Sequence, residues 1–109
     1  MNQIRRDVFQ AISDPTRREI IDLLSVKTLN LNNVADHFTM SRPAVAKHIR
    51  ILTECGLVTV RTQGRETLCQ ADLRGLKKVS DWANSYQKFW TEKLDALEKF
   101  LDEDTVSEN

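Results

Sequence analysis

The chain has 109 residues, which bounds it to one domain whose core is only just large enough at 40% hydrophobic content, so added burial through a partner is expected. Sixteen basic residues balance sixteen acidic ones, and no apolar run approaches the ~18 residues of a membrane span. The start of the chain has no charged-then-apolar leader, so the expected location is cytoplasmic, with no membrane partner. Cys55 and Cys69 lack a paired spacing and fit a reducing compartment rather than a disulfide scaffold. The charge is unevenly placed. Residues 1–70 hold ten basic against seven acidic side chains, a net of +3, and residues 71–109 hold six against nine, a net of −3. Within 41–65 five basic residues face Glu54 alone, a net of +4, which is the footprint of a nucleic-acid-reading surface.

In chain order, Asn2 to Ile12 reads as a short helix with Ile4, Val8, Phe9 and Ile12 on one face and Arg5, Arg6 and Asp7 solvated on the other. Asp14-Pro15 restarts a helix, with Asp14 as N-cap and Pro15 as the first helical residue. Ile20, Ile21, Leu23 and Leu24 of this helix build the hydrophobic centre. Arg17 and Arg18 have two readings: phosphate contacts, or a solvated face with ion pairs to Asp14, Glu19 or Asp22. Ser25 to Asn30 is expected to be a loop. Leu31 to Phe38 is a short helix with Leu31, Val34, Ala35 and Phe38 inward, and Thr39-Met40 allows only a tight turn.

The stretch Ser41 to Leu52 follows. Ser41 is a good N-cap, and Pro43 is tolerated because it lies in the first turn. Val45, Ile49 and Leu52 form an inward stripe at i, i+4, i+7, while Ala44, Lys47 and Ile51 point nearly opposite it. Two short helices joined tightly, the second cationic outside, make a helix-turn-helix. Gly56 ends the second helix. Leu57-Val58-Thr59-Val60-Arg61 and Glu66-Thr67-Leu68-Cys69-Gln70 then read as strands joined at Gln63-Gly64. The expected fold class is therefore mainly α with a small β-hairpin wing: a winged helix-turn-helix.

Ala71-Asp72 closes the hairpin, and Asp72 caps a helix expected to run from Leu73 to about Asp102, roughly 45 Å. Apolar residues recur along it at Leu73, Leu76, Val79, Ala83, Tyr86, Trp90, Leu94, Leu97 and Leu101, with Trp82, Phe89 and Phe100 alongside. So wide a band exceeds what a small domain can cover, and the favoured reading is a homodimer interface. Folding back onto the same domain, or lining a ligand pocket, are the alternatives. The expected organisation is a single winged domain over 1–102, with a dimerisation helix at 73–102 and a frayed acidic tail at 103–109.

On this reading the recognition helix spans 41–55 and the wing 57–70. Arg42, Ala44, Lys47 and His48 would face the major groove, where Arg and Lys favour guanine O6/N7 and the Ala44 methyl meets a thymine methyl, with packing as the other reading of His48. Ser41 and the first amides would hold phosphate, with Arg50 adding positive charge. Arg61, Gln63 and Arg65 would form the wing contacts. Ile4, Val8, Trp82, Tyr86, Phe89, Trp90, Leu94 and Leu97 are the expected dimer contacts. Against this stand a winged helix that binds protein instead, and thiol chemistry through Cys55 and Cys69. There is no C-x-x-C, no nucleophile beside a base, no phosphate loop and no recognisable carboxylate pair, so the chain is not expected to be an enzyme. Redox sensing would need an accessible thiol.

Asp14-Pro15-Thr16-Arg17-Arg18-Glu19-Ile20, Ser41 through Leu52, Cys55-Gly56-Leu57-Val58 and Gly64-Arg65 together resemble the ArsR/SmtB family of bacterial winged-helix repressors over about residues 5–72. Asp81-Trp82 and Trp90-Thr91-Glu92-Lys93-Leu94-Asp95-Ala96-Leu97 look like the branch often encoded beside proteins of the START-like fold. The resemblance implies a homodimer on an imperfect inverted repeat of double-stranded DNA, usually in its own promoter. It also implies repression by blocking polymerase, relieved by an inducing signal. Many relatives sense metals. Where one family site uses cysteines this chain has Asn30 and Asn32, and where another uses Asp and His pairs the C-terminal helix has no His. His37 and His48 form no recognisable ligand set with Cys55 or Cys69, so no metal and no cofactor is expected. Thr39 also stands where many helix-turn-helix units have Gly, a departure this family tolerates.

Overall fold

The computed structural model describes residues 6–107, with side chains through Asp104. It divides into two compact units, residues 1–79 and 80–109. The first contains α1 (Val8–Ala11), α2 (Pro15–Val26), β1 (Leu29–Asn30), α3 (Leu31–Asp36), α4 (Arg42–Glu54), β2 (Val58–Gln63) and β3 (Glu66–Ala71), then a 3-10 turn (Leu73–Leu76). Helix α5 (Lys77–Asn84) begins in the first unit and ends in the second, which also holds α6 (Gln87–Ser107). The architecture is a winged helix-turn-helix, mainly helical with a small antiparallel sheet.

Each start signal in the first unit is used. Asp14 accepts the Arg17 amide at 3.0 Å and Ser41 accepts the Ala44 amide at 3.3 Å, each with proline just inside the helix. Asn30 caps α3 through the Asn33 amide at 2.8 Å. The end of α4 is a Schellman motif: the Gly56 amide donates to the Thr53 carbonyl and the Leu57 amide to the Leu52 carbonyl. Gly56 holds φ at +82°, a left-handed conformation open to glycine. The wing turn uses Gly64 (φ +63°) and Arg65 between the paired Gln63 and Glu66, with glycine at the first central position as a type II′ hairpin requires.

The core joins Ile20, Ile21 and Leu24 of α2 to Val34 and Ala35 of α3, the Val45–Ile49–Leu52 stripe of α4, Leu57, Val58 and Cys69 of the wing, and Val8 and Ala11 of α1. Burying one such aliphatic side chain contributes about 1.5–3 kcal/mol.

Several expectations are corrected. The described N-terminal helix is only Val8–Ala11, capped by Asp7 through the Gln10 amide at 2.9 Å, so Asp7 is a cap and not a free surface charge; Asn2 to Arg5, with Ile4, lie outside the described residues. Val8, expected at a dimer contact, is buried in the core of its own unit. Ile51 is buried, not turned outward; near it, at the end of α4, Arg6 pairs with Glu54 and the Cys55 thiol lies 3.9 Å from Gln10 Oε1. The loop after α2 contains a third strand: Leu29 and Asn30 pair with Cys69 and Leu68, giving the sheet order β1-β3-β2. Finally, the segment expected to form one helix from Leu73 is a 3-10 turn and two helices, and the last runs to Ser107.

The break at residues 85–86 has a local cause. The Ser85 hydroxyl donates to the Trp82 carbonyl at 2.6 Å, and its amide reaches both the Asp81 and Trp82 carbonyls. The Tyr86 amide turns to Ala83, three residues back, in place of an α-helical partner.

Candidate nucleic-acid interface

Because Val45, Ile49 and Leu52 are fixed in the core, α4 must present its other side outward. Ser41, Arg42, Lys47 and Arg50 are exposed there and Ala44 is half-buried. On the wing, Arg61, Gln63 and Arg65 are exposed. Among the described residues the side chains of Lys47, Arg50, Arg61 and Arg65 have no hydrogen-bond or ion-pair partner. Arg42 is instead steadied by α3: its guanidinium donates to Asn32 Oδ1 at 3.0 Å and lies 3.9 Å from Asp36. The Ser41 oxygen is engaged in capping, which leaves its hydroxyl proton free to donate.

His48 packs against a neighbouring helix, one of its two expected readings. Its ring turns toward α2, with Nδ1 3.3 Å from the Arg17 guanidinium and 3.9 Å from Asp14 Oδ2. A guanidinium only donates, so the contact with Arg17 uses Nδ1 as its acceptor. His48 therefore couples the recognition helix to α2.

Arg17 is buried and makes no outward contact. It donates to the Ala11 carbonyl at 2.9 Å and the Gln10 carbonyl at 3.0 Å, and Arg18 donates to the Ile12 carbonyl at 2.6 Å. These carbonyls close α1, where a helix has acceptors but no donors of its own. For Arg17 the phosphate-contact reading gives way to C-terminal capping of α1, while Arg18 stays exposed. No sequence pattern announced this role, because the capped carbonyls lie on the preceding element and His48 lies 31 residues away.

Neither thiol is poised for chemistry. Cys69 is fully buried and burial pushes its thiol up from the ordinary value. Cys55 is half-buried and also raised, chiefly by burial, against the opposing pull of Arg6 and Arg17. Asn30, in the position compared with family metal ligands, caps α3 and donates to Glu66 Oε1 at 3.2 Å. Among the described residues no cluster of three or more His, Cys, Asp or Glu side chains is placed to hold a metal ion, and no helix is long and apolar enough to cross a membrane.

Residues 14–60, covering α2 through the start of the wing, match the family described as bacterial regulatory protein, arsR family. The chain is 39% identical over 76 residues to the transcriptional repressor SdpR of Bacillus subtilis, a match covering 70% of this chain and 84% of that one. The chain belongs to the ArsR family of bacterial regulatory proteins. It is 32% identical over 94 residues to the HTH-type transcriptional regulator Rv2034 of Mycobacterium tuberculosis, covering 86% and 85% of the two chains. The solved ArsR-like transcriptional regulator from Rhodococcus sp. RHA1 superposes with a TM-score of 0.69 at 33% identity, covering 87% of each chain. As an ArsR-family member the chain is a DNA-binding transcriptional regulator and not an enzyme. The exposed cationic row on α4 and the wing lies in the helix-turn-helix and hairpin through which this fold reads DNA.

Proposed function

We propose that this ArsR-family regulator is a homodimeric repressor of its own promoter. It would bind an inverted repeat with one α4 per half-site and one wing on each flank. Arg42, Ala44 and Lys47 read the major groove. Ser41, Arg50, Arg61, Gln63 and Arg65 contact phosphate or the minor groove. Trp82, Tyr86, Phe89, Trp90, Leu94 and Leu97 join the two chains.

The observation that carries the dimer is the second unit's apolar surface. Trp82, Tyr86, Phe89, Trp90, Leu94, Leu97, Phe100 and Leu101 are each at least half exposed. An apolar surface of this extent marks an association site. Its aromatic residues are already ordered against one another. Trp82 stands edge-on to Tyr86 at 5.7 Å between ring centroids, and Phe89 stands edge-on to Trp90 at 5.4 Å. A two-fold dimer then matches the two-fold symmetry of an inverted repeat, with half-site centres about 34–36 Å apart. Support for repression comes from the likeness to SdpR.

Footprinting on the fragment upstream of the chain's own gene tests the reading. Protection of two symmetric half-sites, with two chains bound per fragment, is the expected result. Protection of a single half-site by one chain contradicts it.

A further inference from the structure

Between α4 and the wing lies a cavity of about 290 Å³. Its walls are Leu31, Ala46 and Ile49 on the helical side and Val60 and Cys69 on the hairpin side, with Arg50 as its charged member. Val60 stands directly opposite Cys69 in the β2–β3 register, so both side chains share one face of the hairpin. Cys69 is fully buried on that face, yet Val60 is 41% exposed. The hairpin thus turns an aliphatic side chain inward over space that the domain does not fill. Two threonines complete the lining: the Thr53 hydroxyl is spent on the Ile49 carbonyl at 2.8 Å, and Thr67 stands on the hairpin side. No carboxylate lines the cavity, and Arg50 has no partner among the described residues.

We propose that this cavity is an effector site for a small monocarboxylic acid with an aliphatic or aromatic body, its carboxylate on Arg50 and its body against Ala46, Ile49, Val60 and Cys69. The volume lies at the small end of ligand pockets, which run from ~300 Å³ upward. An apolar wall whose one charged residue is Arg50 selects an apolar body with one anionic end, and a guanidinium fits a carboxylate in a bidentate pair. Occupancy has a consequence for DNA, which rests on the function proposed above. Arg50 can pair with the ligand or with a phosphate, not with both at full strength. The ligand also sets the spacing of wing and recognition helix, so binding it lowers operator affinity.

The test uses the full chain and octanoate, with octanol and octylammonium as charge controls, followed by two-dimensional NMR. Octanoate should shift the Leu31, Val60 and Cys69 signals and bind at least about tenfold more tightly than octanol, as expected for a hydrogen bond to a charged group. Arg50→Gln should remove that preference. Val60→Phe, which fills the cavity from a half-exposed position, should abolish binding, and Ala46→Leu should do the same from the α4 side should the first variant prove unfolded by circular dichroism. Equal affinity for the three probes, no binding, or shifts at Trp82, Tyr86 and Trp90 in place of the cavity would overturn the site. Because these readings are made on free protein, failure of the DNA reading does not touch them. On the promoter fragment, octanoate should weaken binding by wild type and not by Val60→Phe; an unchanged wild-type affinity would overturn the regulatory half.

Discussion

Single residues hold the reading head in place by contacts that span its elements. Arg17 is the clearest case: one buried cation closes α1 and meets His48 of α4. Replacing it with Ala leaves the Ala11 carbonyl without its donor, while the Gln10 carbonyl keeps the Ser13 amide and hydroxyl, and thermal unfolding should show a drop of about 1–3 kcal/mol in stability; an unchanged stability would mean that this hydrogen bond carries little. Gly56→Ala forces a β-carbon into the left-handed conformation and should cost about 1–2 kcal/mol. Asp72 is a surface example with a pH signature. Hydrogen bonds from the Arg74 side chain, at 2.9 and 2.7 Å, and from its amide hold the Asp72 carboxyl down at about 2 from an ordinary 3.8. A lowered folded-state value means that its contribution is present above pH 3.8 and is lost as pH falls through about 2. NMR titration should place the Asp72 midpoint near 2 and Arg74→Ala should raise it; an unmoved midpoint contradicts the assignment. The thiols give a fourth residue-level expectation. With both pushed up by burial, iodoacetamide at about pH 8 should label native Cys69 far more slowly than unfolded chain, and equal rates would reopen redox sensing.

At the scale of elements, what could be read from the sequence was what is local. Asp14-Pro15, Ser41-x-Pro43, Gly56 and Gly64 each settle their own turn, so α2, α4 and the hairpin were legible along with the inward stripe of α4. β1 was not. Two residues, Leu29 and Asn30, carry no period, and they become a strand only through pairing with Cys69 and Leu68 of β3, far along the chain. The inward turn of Ile51 was hidden as well, and so was the choice between the two readings of His48, whose neighbours come from α2. The α5–α6 break escaped because the apolar spacing continues through it, while the cause is the Ser85 hydroxyl bonding the Trp82 carbonyl. Ser85→Ala removes that competitor and should raise helix content measured by circular dichroism; a fall would show that the break is set elsewhere. The exposed cations of the candidate site were legible from charge clustering alone, whereas the structural duty of Arg17 was not.

For the whole molecule, the governing feature is the apolar surface of residues 80–104. Sedimentation velocity should give about twice the 12.6 kDa chain mass. Trp90→Glu with Leu94→Glu places two charges on that surface and should yield monomer without unfolding residues 6–79. A wild-type monomer at tens of micromolar would remove the dimer. The near-zero net charge is no obstacle to DNA binding, since the +4 over residues 41–65 is concentrated where the cations are exposed. DNA reading by these cations is decided by a salt titration of affinity for the chain's own promoter fragment, comparing wild type with Lys47→Ala/Arg65→Ala. Wild type should bind the promoter about 10³-fold more tightly than a scrambled fragment near ~150 mM salt. The log–log salt slope should be shallower in the double variant by about 0.9 for each phosphate it no longer neutralises. An unchanged slope, with promoter and scrambled fragment bound alike, would contradict a DNA-reading role for this surface.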